Sequence, residues 1–170
     1  MRDVKPGRLA CCMLALLLGL AAPLAAQGAT SKWTGTVTHV SDGDTLWVRP
    51  QRGGPPRAVR IDGIDAPELC QVHGETARAA LVGQVLGQAV QVRVRRHDDY
   101  GRVLARVSLR GQDIGAWLVG QGHAWSYRYR GKSGPYAQQE GQARARRLGL
   151  FQQGRAELPR DFRRRHGPCH

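Results

Sequence analysis

Acidic side chains are scarce in this 170-residue chain, where 13 Asp and Glu stand against 26 Lys and Arg for a formal charge of +13. Such a balance favours nucleic acid, anionic lipid surfaces or acidic polymers as partners and says nothing about fold. Long hydrophobic runs are missing as well. The apolar stretch Leu9–Leu20 is about a dozen residues long, short of the roughly 20 needed to span a bilayer. Cysteine is limited to four residues, and the six histidines show no paired metal spacing. A zinc site is therefore not expected. No internal repeat or second domain is visible.

What is present begins with Arg2, Lys5 and Arg8 ahead of the apolar stretch, then Pro23, Ala25 and Ala26. This is the pattern of a signal peptide over residues 1–26, which predicts a secreted or periplasmic chain with no lasting membrane association after processing. Removing it takes away three basic residues and one acid, leaving 23 against 12 and a formal +11. Only Cys70 and Cys169 then remain. Export permits them to pair, closing a loop of about 100 residues that chain-entropy reasoning values at about 4.7 kcal/mol. Two unpaired thiols is the other reading.

Residues 27–154 read as one domain, short strands first and helices after. Val90, Val92 and Val94 alternate with Gln91, Arg93 and Arg95, giving a strand with one core face and one basic face. Val103, Ala105, Val107 and Leu109 repeat the pattern, and earlier strands are expected at 33–40, 45–49 and 57–61. Helical spacing predicts one helix over 75–86, a second marked by Ile114, Trp117 and Leu118, and a third over 135–148. Five strands and three helices describe an oligonucleotide-binding barrel, α+β and mainly β. The four tryptophans, Trp33, Trp47, Trp117 and Trp125, are expected in the core. The basic tail over 155–170 has no periodicity and is expected to be mobile unless Cys169 ties it down.

Five of the acids that survive processing fall between Asp42 and Glu68, in Asp42-Gly43-Asp44-Thr45 and Arg60-Ile61-Asp62-Gly63-Ile64-Asp65-Ala66-Pro67-Glu68. A knot of carboxylates opposes polyanion binding unless it holds a cation or moves a proton. Asp44 and Asp65 lie at strand edges that neighbouring strands could bring together, and two carboxylates with a backbone carbonyl suit a hard cation such as Ca²⁺. Arg60 offers a planar fork matched to phosphate, Glu68 can accept a proton from water, and Arg102 adds a second guanidinium in Tyr100-Gly101-Arg102.

These motifs, in this order, resemble the thermonuclease (staphylococcal nuclease-like) family of calcium-dependent nucleases, over roughly residues 33–151. The resemblance implies that Asp44, Asp65 and the Ala66 carbonyl bind Ca²⁺, that Glu68 acts as general base or orients water, and that Arg60 and Arg102 hold the scissile phosphate. It also implies nucleotide contacts from Tyr100, Tyr127 and Tyr129, with DNA or RNA as substrate, 3′-phosphate products and a monomeric enzyme. The alternative is a nucleic-acid-binding module of the same fold that has lost catalysis; such copies lose the carboxylates, which this chain retains. Ala66 stands where the family usually has threonine, Asp99 where it has lysine, and Phe151 where it has tryptophan.

Overall fold

The computed structural model describes residues 1, 3, 31–152, 154, 156–167 and 169. The expected leader over residues 1–26 lies almost wholly outside them. Among the described residues no helix is long and apolar enough to cross a membrane.

Five long strands, β1 (Lys32–Val40), β2 (Thr45–Pro50), β3 (Arg57–Ile61), β5 (Ala89–His97) and β6 (Val103–Leu109), form a sheet in the order β3-β2-β1-β5-β6, and the two-residue β7 (Gln112–Asp113) adds to it beside β6. A parallel pairing of β3 with β6 closes the five into a barrel. Closure satisfies backbone groups that an open edge would expose. Alternation supplies the interior: Leu46 and Val48 from β2, Val59 and Ile61 from β3, Val90 and Val92 from β5, and Ala105 and Val107 from β6 are all buried. In β1 a bulge between Val37 and His39 shifts the register, so Val37 and Val40 are both buried although they are three residues apart.

Four helices accompany the barrel among the described residues. Helix α1 (Gly74–Val85) buries Ala77, Leu81 and Val85, and α2 (Ile114–Gly120) buries Ile114 and Leu118. Asp113 caps α2 by accepting a hydrogen bond from the Ala116 N–H at 3.0 Å. The third helix, α3, runs only over Ala137–Ala145, shorter than the expected 135–148. Beyond it Arg147 and Gly149 take positive φ, which turns the chain into a short 3₁₀ segment, Gly149–Phe151. There Phe151 meets Trp125 edge-on at 6.4 Å in a second apolar cluster with Ala143 and Leu150.

Two expectations need correction. The C-terminal stretch carries a fourth helix, α4 (Pro159–His166), begun by a proline in its first turn and followed by Cys169, which is bonded to Cys70 with a Cα–Cα distance of 5.6 Å. Trp47 is not a core residue: with Leu46 and Val48 facing inward, the pleat turns Trp47 out to 40% exposure.

Candidate active site

Sheet pairing builds the acidic corner. Antiparallel β2 and β3 align Thr45 with Arg60, and the Ile61 N–H donates to the Asp44 carbonyl at 2.8 Å, so Asp44 and Arg60 meet at the end of the barrel. Directly after β3, the two-residue strand β4 (Ile64–Asp65) pairs with β8 (Trp125–Ser126), and this fixes Asp65 beside the same arginine. Gly43 is needed in the turn that presents Asp44, because a Cβ there would come within 2.8 Å of the Ala66 Cβ and 2.9 Å of the Ala77 Cβ. Gly74 opens α1 under a similar constraint, packed on the backbone carbonyls of Glu68 and Leu69.

Asp44 is the centre of the hydrogen-bond pattern. Its Oδ1 accepts from Arg60 Nη1 at 2.9 Å and from the Thr45 hydroxyl at 3.0 Å, while its Oδ2 accepts from the Ala66 N–H at 3.3 Å. Arg60 Nη2 donates to Asp65 Oδ1 at 3.2 Å. One guanidinium thus bridges both expected metal ligands, and Asp42 Oδ1 supports the turn by accepting from the Asp44 N–H at 2.9 Å.

Burial, and then the neighbouring Asp44 charge, push the carboxyls of Asp42 and Asp65 up to about 6. Burial alone would lower Arg60, yet the surrounding carboxylates leave it above the usual arginine range. Three carboxylates, Asp42, Asp44 and Asp65, thus surround the one Arg60 guanidinium. The corner's donors are buried oxygens, and a hard divalent cation fits such a set. Among the described residues no three His, Cys, Asp or Glu side chains converge on one point. A set of two carboxylates and the Ala66 carbonyl does not require a third.

A cleft of about 740 Å³ opens over this corner, lined by Asp44, Arg60, Ala66, Glu68, Tyr100 and Arg102 together with Trp47 and Arg163. The parallel alignment of Arg60 with Leu104 explains why Arg102, two residues before Leu104, reaches it. Arg102 Nε donates to Asp98 Oδ2 at 2.7 Å, and Asp98 Oδ1 accepts from the N–H groups of Tyr100 and Arg102 at 3.0 and 2.9 Å. Burial opposes the Asp98 charge, but these bonds outweigh it and hold the carboxyl below its usual range. Tyr100, 85% exposed, lies under the Arg102 guanidinium with 5.4 Å between them.

The remaining predicted residues divide. Tyr127 lines a second cavity that shares Arg60, Tyr100, Arg102 and Arg163 with the first. Tyr129 lines neither opening and instead stacks with Arg130 at 5.2 Å.

Three side chains that contact the expected site residues or their segment have no distinctive signature in the sequence. Asp98 orients Arg102, and the only signal for it is an i,i+4 acid–base spacing at a turn. Glu140, 1% exposed, accepts from the Ser126 N–H at 2.9 Å and from Arg128 at 2.9 Å, which anchors the segment carrying Tyr127. Arg163 comes from α4 and forms an ion pair with Glu68. No local pattern joins residues 95 positions apart.

A family model described as "Staphylococcal nuclease homologue" matches residues 58–153. The chain is similar to Protein ParB of Escherichia coli, 35% identical over 89% of this chain and 91% of that protein. It is similar also to a protein named micrococcal nuclease in Shigella flexneri, 36% identical over 89% of this chain and 94% of its relative. An uncharacterized endonuclease of Haemophilus influenzae is 34% identical over 78% of this chain and 74% of its own length. With a family match over more than half its length and relatives aligned over most of it, the chain belongs to the staphylococcal nuclease homologue family.

Proposed function

We propose that this protein is an exported, calcium-dependent nuclease that hydrolyses phosphodiester bonds of DNA or RNA as a monomer. The observation that carries the reading is one cleft lined together by Asp44, Arg60, Glu68 and Arg102, with Asp65 bound to the same Arg60. The names of its relatives agree with this activity, and the basic mature chain supplies the attraction for a polyanion.

Asp44, Asp65 and the Ala66 carbonyl would hold Ca²⁺, which when bound polarises a phosphoryl oxygen. Glu68 takes a proton from the attacking water as its oxygen bonds to phosphorus. Arg60 and Arg102 neutralise the charge that builds on the phosphoryl oxygens. Scission of the bond to the 5′ oxygen leaves a 3′-phosphate on one product and a 5′-hydroxyl on the other. Tyr100, most exposed of the expected tyrosines, offers its ring to a base beside the arginine that holds the phosphate.

The test is digestion of plasmid and single-stranded oligonucleotide with calcium, then with chelator, by the parent and Glu68→Gln. Fragments that disappear on chelation and are strongly reduced in Glu68→Gln support the reading. A shift in DNA mobility without shortening would support the non-catalytic binding module instead.

A further inference from the structure

Helix α4 poses a physical question, because it is eight residues long and four of its residues, Arg160, Arg163, Arg164 and Arg165, are arginines. A helix of that length and composition is not stable alone. It is held from both ends. Upstream, Gln71 Nε2 donates to the Glu157 carbonyl at 2.7 Å, and Ala156 and Leu158 pack on the cluster of Trp125, Leu150 and Phe151. Downstream, Cys169 is bonded to Cys70, and the Cys70 N–H donates to its sulfur at 2.9 Å. Gln71 and Cys70 both belong to the loop that follows Glu68.

The tethers give α4 one orientation, and in it the arginines differ. Arg164 is 78% exposed and Arg165 pairs with Glu157 outside the cleft. Arg163 alone of the four lines both cavities around Arg60 and Arg102, and it pairs with Glu68. Among the described residues Glu68 is the one hydrogen-bond partner of its side chain. Arg60 is shared between Asp44 and Asp65, and Arg102 gives its Nε to Asp98. Arg163 therefore keeps most of its five donors available in a cleft that must receive an anion.

We propose that Arg163 is a third phosphate-binding residue of this site, carried in by α4 and held there by the Cys70–Cys169 bridge. The inference rests on the nuclease reading above. A phosphodiester competes with Glu68 for the guanidinium and offers it a bidentate partner. When Arg163 turns to the phosphate, Glu68 is released to take its proton from water. The C-terminal segment thus completes the substrate site instead of merely covering it.

The test uses the full mature chain and a labelled single-stranded oligonucleotide. Binding is followed by anisotropy in chelator across a salt series, and cleavage is followed in calcium. Arg163→Ala should raise KM roughly tenfold to a hundredfold, the range for one charged hydrogen-bonding partner. It should also reduce the slope of log affinity against log salt by about 0.7, as expected when one phosphate of a single strand is no longer neutralised. Arg163→Lys should restore the slope and part of the KM. Arg164→Ala removes the same charge from the same helix and should leave the slope unchanged. Cys169→Ser should reproduce the Arg163→Ala defect, and combining the two should add little.

An Arg163→Ala variant with unaltered slope and KM overturns the proposal, and so does one whose kcat rises with no change in binding, since Arg163 would then be a brake on Glu68. If the parent neither binds nor cuts, the nuclease reading itself falls and this inference with it. If the parent cuts and Arg163→Ala matches it, only the inference falls.

Discussion

The two regions that meet in the cleft are held in opposite ways. The acidic corner from Asp42 to Glu68 is fixed by backbone pairing, with β2 on β3 and β4 on β8 aligning Asp44, Arg60 and Asp65. The basic arm from 156 to 169 has no strand partner among its described residues and is held by the apolar packing of Ala156 and Leu158, the Gln71 hydrogen bond to Glu157, the Arg163–Glu68 pair and one covalent bridge. Groups that must keep sub-ångström relations belong on rigid elements, whereas a guanidinium that exchanges a carboxylate for a phosphate works from a tethered arm. On the proposed function, the difference separates a reacting centre from a substrate clamp.

Perturbing the acidic corner should have the larger consequences. Glu68→Gln should lower kcat by about 10² to 10⁴, the range for losing a general base, while oligonucleotide affinity tightens because the carboxylate that competes for Arg163 is gone. Arg60→Ala should cost roughly 10² to 10³ in kcat. It should also destabilise the fold, since Asp44 and Asp65 would lose the cation that bridges them. Steady-state kinetics beside thermal melts checks both.

A smaller effect concerns pH. Asp42 and Asp65 are raised to about 6 from an ordinary 3.8. A carboxyl whose folded pKa exceeds its unfolded value adds stability that is fully present below about pH 4 and lost as pH rises through about 6. Calcium-free protein should accordingly lose thermal stability between those limits, on the order of several degrees. Asp65→Asn should flatten the profile. Because ligation needs the carboxylate form, calcium should raise Tm at about pH 7.5 and do little at about pH 4.5. Melting curves on a pH grid, with and without calcium, read all three.

The most local change in stability concerns the arm. Cys169→Ser should increase hydrogen exchange over 156–167 while leaving β1 to β6 protected, because the anchor it removes lies outside the barrel. Equal loss of protection in both regions would erase the contrast between them.

Legibility in the sequence follows the same division. The barrel strands are readable because Val90, Val92 and Val94, or Ala105 and Val107, repeat with period two along one face. Helix α1 is readable from Ala77, Leu81 and Val85 at helical spacing. Strands β4 and β8 are not, since two residues carry no period. Helix α4 is hidden because its arginines mask the pattern and Pro159 is the only fully buried residue in it. Trp47 shows how a large aromatic misleads when its neighbours Leu46 and Val48 already occupy the inward positions.

Within the site, Asp44, Arg60, Asp65, Glu68 and Arg102 stand out in the sequence as short motifs, and the structure groups them around one cleft. Their supports do not stand out. Asp98, Glu140 and Arg163 act through contacts set by the fold, and Arg163 reaches Glu68 from 95 residues away.

The most direct measurement is cleavage of a 5′-labelled single-stranded oligonucleotide by the mature chain in calcium and in chelator, with product ends identified by phosphatase sensitivity. A calcium-dependent nuclease of this kind gives rapid shortening in calcium, none in chelator, and 3′-phosphate ends. Binding without shortening in either condition, or equal cutting in both, would contradict the proposed function.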